Sequence, residues 1–289
     1  MRTGSKGHWL RLLAVLGALL ILFAACGSPD EEGDDGGTEP GGGGGQEEPA
    51  FETIEEGILT VGSCLDYRPF EFFEKGADEP TGFDVELTNA IADELGLEVE
   101  WVRADFDTIF TAVAAGEFDM VAAASTITPE RQDIVDFSDP YYNSRQALTV
   151  ASDSGISSTD DLKEGDVVGV QKGTTGKDWA EENLAPSGVE IKVFQVVPDA
   201  FTDLESDALQ GVVNDEPSSA SEIEDRPGLE VVESIDTNEN YGFAFSKENP
   251  DLTLAVNEAL QAVIDSGMYE EIFQKYFPGT QVPEEFQPS

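Results

Sequence analysis

"GFDVELTNAIADELGLEVEWVRADFDTIFTAVAAGEFDMVAAAS", residues 82–125, changes its hydrophobic period three times. Phe83, Leu87, Ile91 and Leu95 recur at helical spacing, so 82–96 reads as a helix with Asp84 as N-cap and Gly96 as its stop. Residues 97–104 alternate like a strand. Residues 107–116 return to a helix, capped by Asp107 and closed by Gly116, and 118–125 is a buried strand. Helix, strand, helix, strand in regular alternation argues for parallel sheets covered by helices.

The same rhythm runs outward on both sides. Residues 58–65 read as a strand before it; 165–170, 190–197, 211–215 and 229–233 read as strands after it. Between these lie expected helices at 174–184, 199–210 and 217–225. The C-terminal stretch is helical, with Asn249 as cap and Pro250 in the first turn. Two strands break the rhythm, 144–152 and 240–246, and the segment between them holds its own βα units. The expected architecture is α/β with two lobes, each a parallel-rich sheet. The first lobe takes 51–149 plus 241–289 and the second takes 150–240. The two breaking strands form a hinge, and a cleft between lobes is where a ligand binds in such folds.

The chain has 289 residues, 60 acidic and 15 basic, for a formal charge of −45. So acidic a surface repels nucleic acid, and no nucleic-acid partner is expected. It fits surroundings of high salt, which screens the self-repulsion. Arg2, Lys6 and Arg11 flank the apolar run 12–25, which is too short to span a membrane comfortably; 1–25 reads as a signal peptide. "LFAAC" (22–26) resembles a bacterial lipobox, in which Cys26 is lipidated and tethers the protein to the outer face of the cytoplasmic membrane. Residues 26–50, rich in glycine and acid, read as a flexible linker. The single histidine, His8, leaves with the leader. A Ser-His-Asp triad, a Cys-His pair and a His-ligated metal are thereby excluded from the mature chain, and no cofactor is expected. Cys64 is left without an intrachain partner.

Three segments draw attention for chemistry. In "TITPERQDIVDFSDPYY" (126–142), Arg131 sits in the first turn of a short helix, where positive charge is unfavourable. Its anion is one of Asp133, Asp136 and Asp139, or one that arrives from outside. Thr128 before Pro129 fits the helix cap. "KGTTG" (172–176) opens a helix and presents N–H groups to an anion, or is a tight turn; it lacks the ending of a P-loop. Asp215 in "GVVNDEP" ends a strand before a helix, as a ligand carboxylate or as an N-cap.

"LTVGSCLDYRPFEFF", "GFDVELTNAIADELG", "FDMVAAASTITPERQDIVDFSDPYY", "VGVQKGTTGKDWAEENL", "GVVNDEP", "YGFAFSKENPDL" and "GMYEEIFQKYF" follow one another in this order. Together, over about 58–277, they resemble the amino-acid-binding proteins of ABC importers, solute-binding family 3. The resemblance implies a periplasmic-binding-protein fold of the second type, a free L-amino acid as ligand, and a membrane permease as partner. It implies a monomer outside the cytoplasm and no enzymatic activity. Arg131 matches the arginine that grips the α-carboxylate, joined by the Thr126 backbone and hydroxyl and by Thr175 from the second lobe. Ala124 offers its carbonyl, and Asp215 its carboxylate, to the α-ammonium. Tyr67 and Phe106 match aromatics that pack on the ligand side chain, Phe106 being equally readable as core. Gln171 and Asp66 border the side-chain pocket. Cys64 stands where members that take cationic side chains often carry aspartate, which argues against a basic ligand. The rival readings are an enzyme on the same scaffold, a dehydratase or glycan lyase, and a sensor module.

Overall fold

The computed structural model describes residues 51–288; the expected signal peptide, Cys26 and the linker to residue 50 lie outside them. The chain runs β1 (Ile58–Ser63), β2 (Asp66–Tyr67), β3 (Glu71–Phe73), β4 (Pro80–Thr81), α1 (Phe83–Leu95), β5 (Glu98–Arg103), α2 (Phe106–Ala114), β6 (Met120–Val121), α3 (Pro129–Gln132), β7 (Asp136–Phe137) and β8 (Tyr142–Ala151). It continues through β9 (Val167–Gln171), α4 (Thr175–Asn183), β10 (Glu190–Phe194), α5 (Val197–Glu205), β11 (Gly211–Asp215), α6 (Glu216–Ile223), β12 (Leu229–Tyr241), β13 (Ala244–Phe245), α7 (Pro250–Asp265) and α8 (Met268–Tyr276).

These strands make a small three-stranded sheet, β2-β3-β4, and two five-stranded sheets, one per lobe, ordered β5-β1-β6-β13-β7 and β10-β9-β11-β8-β12. In each, the βα units supply a parallel trio: β1 lies between β5 and β6, and β9 between β10 and β11. Antiparallel strands complete both sheets. The long pair β8 and β12 runs antiparallel from Leu229 opposite Ala151 to Tyr241 opposite Tyr142. The expected separate strands at 229–233 and 240–246 are thus one long strand that leaves the second sheet at Tyr241, followed by β13 in the first.

Helix α1 buries Phe83, Leu87 and Ile91 completely and packs on α7 and α8. Each such side chain contributes roughly 1.5–3 kcal/mol relative to exposure. Gly96 ends the helix in the left-handed conformation, as expected. Asp84 is not the N-cap. That position belongs to Gly82, at φ 133°, where a Cβ would lie 2.0 Å from the Phe70 carbonyl oxygen. The chain can pass there only as glycine, and Asp84 enters the first turn, fully buried. Asp107 is not a cap either; Asp105 takes that position in α2. Thr128 does cap α3, accepting from the Arg131 N–H at 3.2 Å. Residues 118–125 are all buried, but only Met120–Val121 pair as strand. Beyond them the backbone turns to φ 44° at Ala124. That departure carries the chain out of the ladder and toward the site.

Candidate ligand-binding site

One cleft lies between the lobes, with about 330 Å³ of free space counting its open mouth. The first lobe lines it with Cys64, Tyr67, Glu71, Phe106, Ala123, Ala124, Thr126 and Arg131. The second lobe adds Gln171, Thr174, Thr175 and Asp215. Eight residues singled out as direct ligand contacts in the sequence therefore meet here, with Cys64. Asp66 does not: it pairs with Arg103 Nη1 at 3.3 Å and does not line the cavity.

Arg131 answers the question its neighbours raised. Among the described residues it forms no ion pair, with Asp133, Asp136, Asp139 or any other carboxylate. Its Nη1 donates to the Thr126 carbonyl at 2.6 Å and its Nη2 to the Gly173 carbonyl at 3.1 Å. The guanidinium carbon lies 4.6 Å from the Phe110 ring centre and 5.2 Å from that of Phe106. Two carbonyls and two ring faces hold the group without neutralising it, and a guanidinium has further donors for an incoming anion. Burial pulls its pKa down to about 10, opposed by the negative charges of Asp215 and Glu239. It is still cationic at neutral pH.

Facing it, the last residue of β11 presents Asp215. Its position is that of an N-cap for α6, yet its side chain makes no capping bond. Oδ2 accepts from Tyr67 Oη and Tyr241 Oη, each at 2.6 Å, and Oδ1 accepts from Gln146 Nε2. Burial, then the nearby Glu239 charge, push its pKa up to about 6 against the pull of those bonds. Near pH 7 it is an ionised, half-buried carboxylate, an acceptor for a cation.

Backbone geometry comes from buried polar supports. Asp84 Oδ2 accepts from the Ala124 N–H at 2.8 Å and from Tyr141 Oη at 2.7 Å. This anchors the left-handed turn at Ala124, a conformation costly for a residue with a Cβ. On the other lobe, Thr174 caps α4 through the Lys177 N–H at 3.1 Å. Thr175 and Gly176 then begin the helix with N–H groups that have no intrahelical partner. Gly173 precedes them at φ 79°, and a Cβ there would sit 2.9 Å from the Asp107 Cα, so the loop closes onto the opposite lobe only as glycine.

Glu239 escaped the sequence reading. Extra residues in β12 between the pairs Ile235–Gln146 and Glu239–Ser144 turn its side chain inward. Oε2 accepts from Thr126 Oγ1 at 2.6 Å and Thr175 Oγ1 at 2.9 Å; Oε1 accepts from Gln146 Nε2 at 3.0 Å and Thr237 Oγ1 at 2.8 Å. The threonine hydroxyls expected to meet a ligand carboxylate are thus given to Glu239. It fixes one threonine from each lobe beside Arg131. Glu71 was also missed; it is fully buried, and neither of its oxygens has a hydrogen-bond partner. Phe106 is both core and lining, meeting Phe110 edge-on at 80° while facing the cavity. Gln171 donates to the Gln195 carbonyl at 3.1 Å. No group of three or more potential metal ligands occurs among the described residues.

Bonds cross the cleft at several points. Lys172 Nζ lies 2.7 Å from Asp107 Oδ2, and Gln195 Nε2 donates to Asp107 Oδ1 at 2.7 Å. Tyr67 to Asp215 and Arg131 to Gly173 are two more. The lobes are closed on the cavity.

Comparison with known proteins gives this geometry a lineage. The chain is 36% identical over 224 residues to a probable histidine-binding protein of Neisseria gonorrhoeae, covering 76% of this chain and 83% of that one. A solved ancestral arginine-binding protein bound to arginine superposes with a TM-score of 0.73 at 38% identity, covering 76% of this chain and 98% of its own. An ancestral amino-acid-binding protein, a precursor of cyclohexadienyl dehydratase, superposes with a TM-score of 0.71 at 38% identity, over 76% and 96%. The two-lobed periplasmic-binding-protein-like fold is common to this chain and the solved structures. Residues 59–279 match the sequence model of one family from β1 to beyond α8, and the chain belongs to it: the bacterial extracellular solute-binding proteins, family 3.

Proposed function

We propose that this protein binds a free L-amino acid between its lobes and delivers it to the permease of an ABC importer, the zwitterion being clamped by Arg131 at its carboxylate and Asp215 at its ammonium. The observation that carries the reading is the pairing in one cavity of an arginine without a carboxylate partner among the described residues and a half-buried aspartate from the opposite lobe. A zwitterion is heavily hydrated, and each charged end must regain in the site what it loses. Charge-assisted bonds contribute roughly 1.5–3 kcal/mol apiece, so a few of them with side-chain packing reach about −8 kcal/mol, a micromolar dissociation constant.

Closure follows from where the groups sit. Neither lobe alone offers both charges, so the ligand binds the closed form more tightly and shifts the population toward it. β8 and β12 serve as the hinge between lobe 1 (51–149, 241–289) and lobe 2 (150–240). The closed form docks on the permease as a monomer, held at the outer face of the membrane by a lipid on Cys26. The relatives named above for histidine and arginine support an amino acid as cargo.

An enzyme on this scaffold is the second reading, favoured by the kinship with a dehydratase precursor. Against it, both oxygens of Asp215 are already held by three donors, and residues 51–289 contain no histidine. A thermal-shift panel of the twenty amino acids tests the binding reading. At 100 times its dissociation constant a ligand adds about 2.7 kcal/mol, which raises Tm by roughly 5–10 °C for a chain of this size. A panel in which no amino acid raises Tm contradicts it, and a converted product found by mass spectrometry would favour the enzyme.

A further inference from the structure

We propose that Glu71 selects the ligand's side chain, and that it selects a cationic one, a guanidinium or ammonium at the far end of the bound amino acid. The inference rests on the clamp proposed above and adds the class of its guest.

Glu71 opens β3, paired in register with Tyr67 of β2, and it is 0% exposed. It lines the same cavity as Arg131 and Asp215. Other carboxylates around the site have donors: three for Asp215, four for Glu239, two on Asp84 Oδ2. Glu71 has none on either oxygen, and no basic side chain pairs with it among the described residues. A buried carboxylate in that condition is a recognition element in waiting, because native interiors satisfy such groups from somewhere.

The sign of the missing partner follows from its surroundings. Burial pushes the Glu71 carboxyl well up, and the charged groups acting on it next are Asp84, Asp66 and Asp215, all of its own sign. The cavity's cation, Arg131, forms no ion pair with Glu71 among the described residues, and its free donors belong to the ligand's α-carboxylate in the clamp proposed above. A neutral amide would satisfy the lone pairs of Glu71 yet leave this negative field uncompensated; a guanidinium or ammonium does both. Tyr67 and Phe106 line the cavity with it, and their rings suit the methylene stem of a long basic side chain. The expectation drawn from Cys64, against a basic ligand, is reversed under this proposal: the carboxylate comes from β3, close enough for its charge to act on the Cys64 thiol.

Isothermal titration of the intact protein and of Glu71→Gln with L-arginine, L-lysine, L-glutamine and L-leucine decides the matter, with Tm of each protein confirming the fold. The wild type should prefer arginine or lysine over both neutral amino acids. In Glu71→Gln the ratio of arginine to glutamine affinity should fall about 100-fold, since the variant removes the charge and little volume. A wild type that prefers a neutral amino acid, or a variant that keeps the wild-type ratio, overturns the role of Glu71 and leaves the clamp standing. Binding of no amino acid by either protein overturns the clamp and this inference together. Should Glu71→Gln fail to fold, the wild-type preference and a reduced ratio in Glu71→Asp decide the question in the same way.

Discussion

Replacing Arg131 by lysine keeps the charge and removes the fork. In the structure the guanidinium spans two carbonyls, Thr126 at 2.6 Å and Gly173 at 3.1 Å, while lying over Phe110 and Phe106. An ammonium on a single point cannot reach both carbonyls and an incoming carboxylate together. The loss is at least one charge-assisted bond to the ligand, about 1.5–3 kcal/mol. The flat stacking on two rings adds about 0.5–1 kcal/mol. Together these come to roughly 2–4 kcal/mol, or about 30- to 1,000-fold in dissociation constant. Part of the loss reflects closure, because the Gly173 bond joins the lobes. Isothermal titration at 25 °C with the best amino acid from the thermal-shift panel reads the effect directly. An affinity within threefold of wild type would refute the reasoning, since it would show that the carboxylate is held elsewhere.

Asp215→Asn should weaken binding by at least about 100-fold, because it leaves the ligand ammonium buried without a counter-charge. The Tm of the empty protein should stay level or rise, as the change removes a desolvated charge beside Glu239; unfolding of the variant would instead mark Asp215 as structural. The raised pKa of Asp215, about 6, sets a pH window. The folded carboxyl holds its proton more tightly than the unfolded one, so this group's contribution to the empty protein's stability is lost as pH rises from about 4 to 6. Ligand binding runs the other way. The ammonium needs the carboxylate, so affinity should be flat above pH 7 and fall as pH drops through 6; titrations of a neutral amino acid across that range check it, with Tyr67, Glu71, Tyr241, Gln146, Glu239 and Arg131 as the groups facing Asp215. Asp107→Asn removes the Lys172 ion pair across the cleft, and lowered salt sensitivity should accompany the loss. Because Lys172 is half exposed, the cost should be about 1 kcal/mol, a roughly fivefold rise in Kd at low salt. Unchanged affinity at low salt would show that this contact does not favour closure.

Hydrophobic periodicity carried the fold. The spacing of Phe83, Leu87 and Ile91 survives intact as a buried stripe, and the βα rhythm became the parallel trio of each sheet. Caps were less legible. Asp84 reads as one by position, but the crowding of Gly82 against Phe70 moved the helix start and freed Asp84 for the Ala124 turn. Charge placement and helix N-termini drew attention to the motif around Arg131 and the small-residue loop before α4 but left their partners open; the resemblance to family 3 is what assigned them to a ligand. Glu71 and Glu239 gave no such signal. In a chain with 60 acidic residues, a carboxylate in a strand looks like any other solvated charge. What singles out Glu71 is burial without a partner, and what singles out Glu239 is an irregular register; both are tertiary facts. Asp66 shows the reverse, a carboxylate beside the right strand whose partner, Arg103, sits outside the cavity.

The most direct test is a crystal structure of the protein with its preferred amino acid bound. The account predicts the α-carboxylate within hydrogen-bonding distance of the Arg131 guanidinium and the α-ammonium within that distance of an Asp215 oxygen. An amino acid lying in the cavity with those two ends reversed, or seated on a surface that touches neither residue, would contradict it.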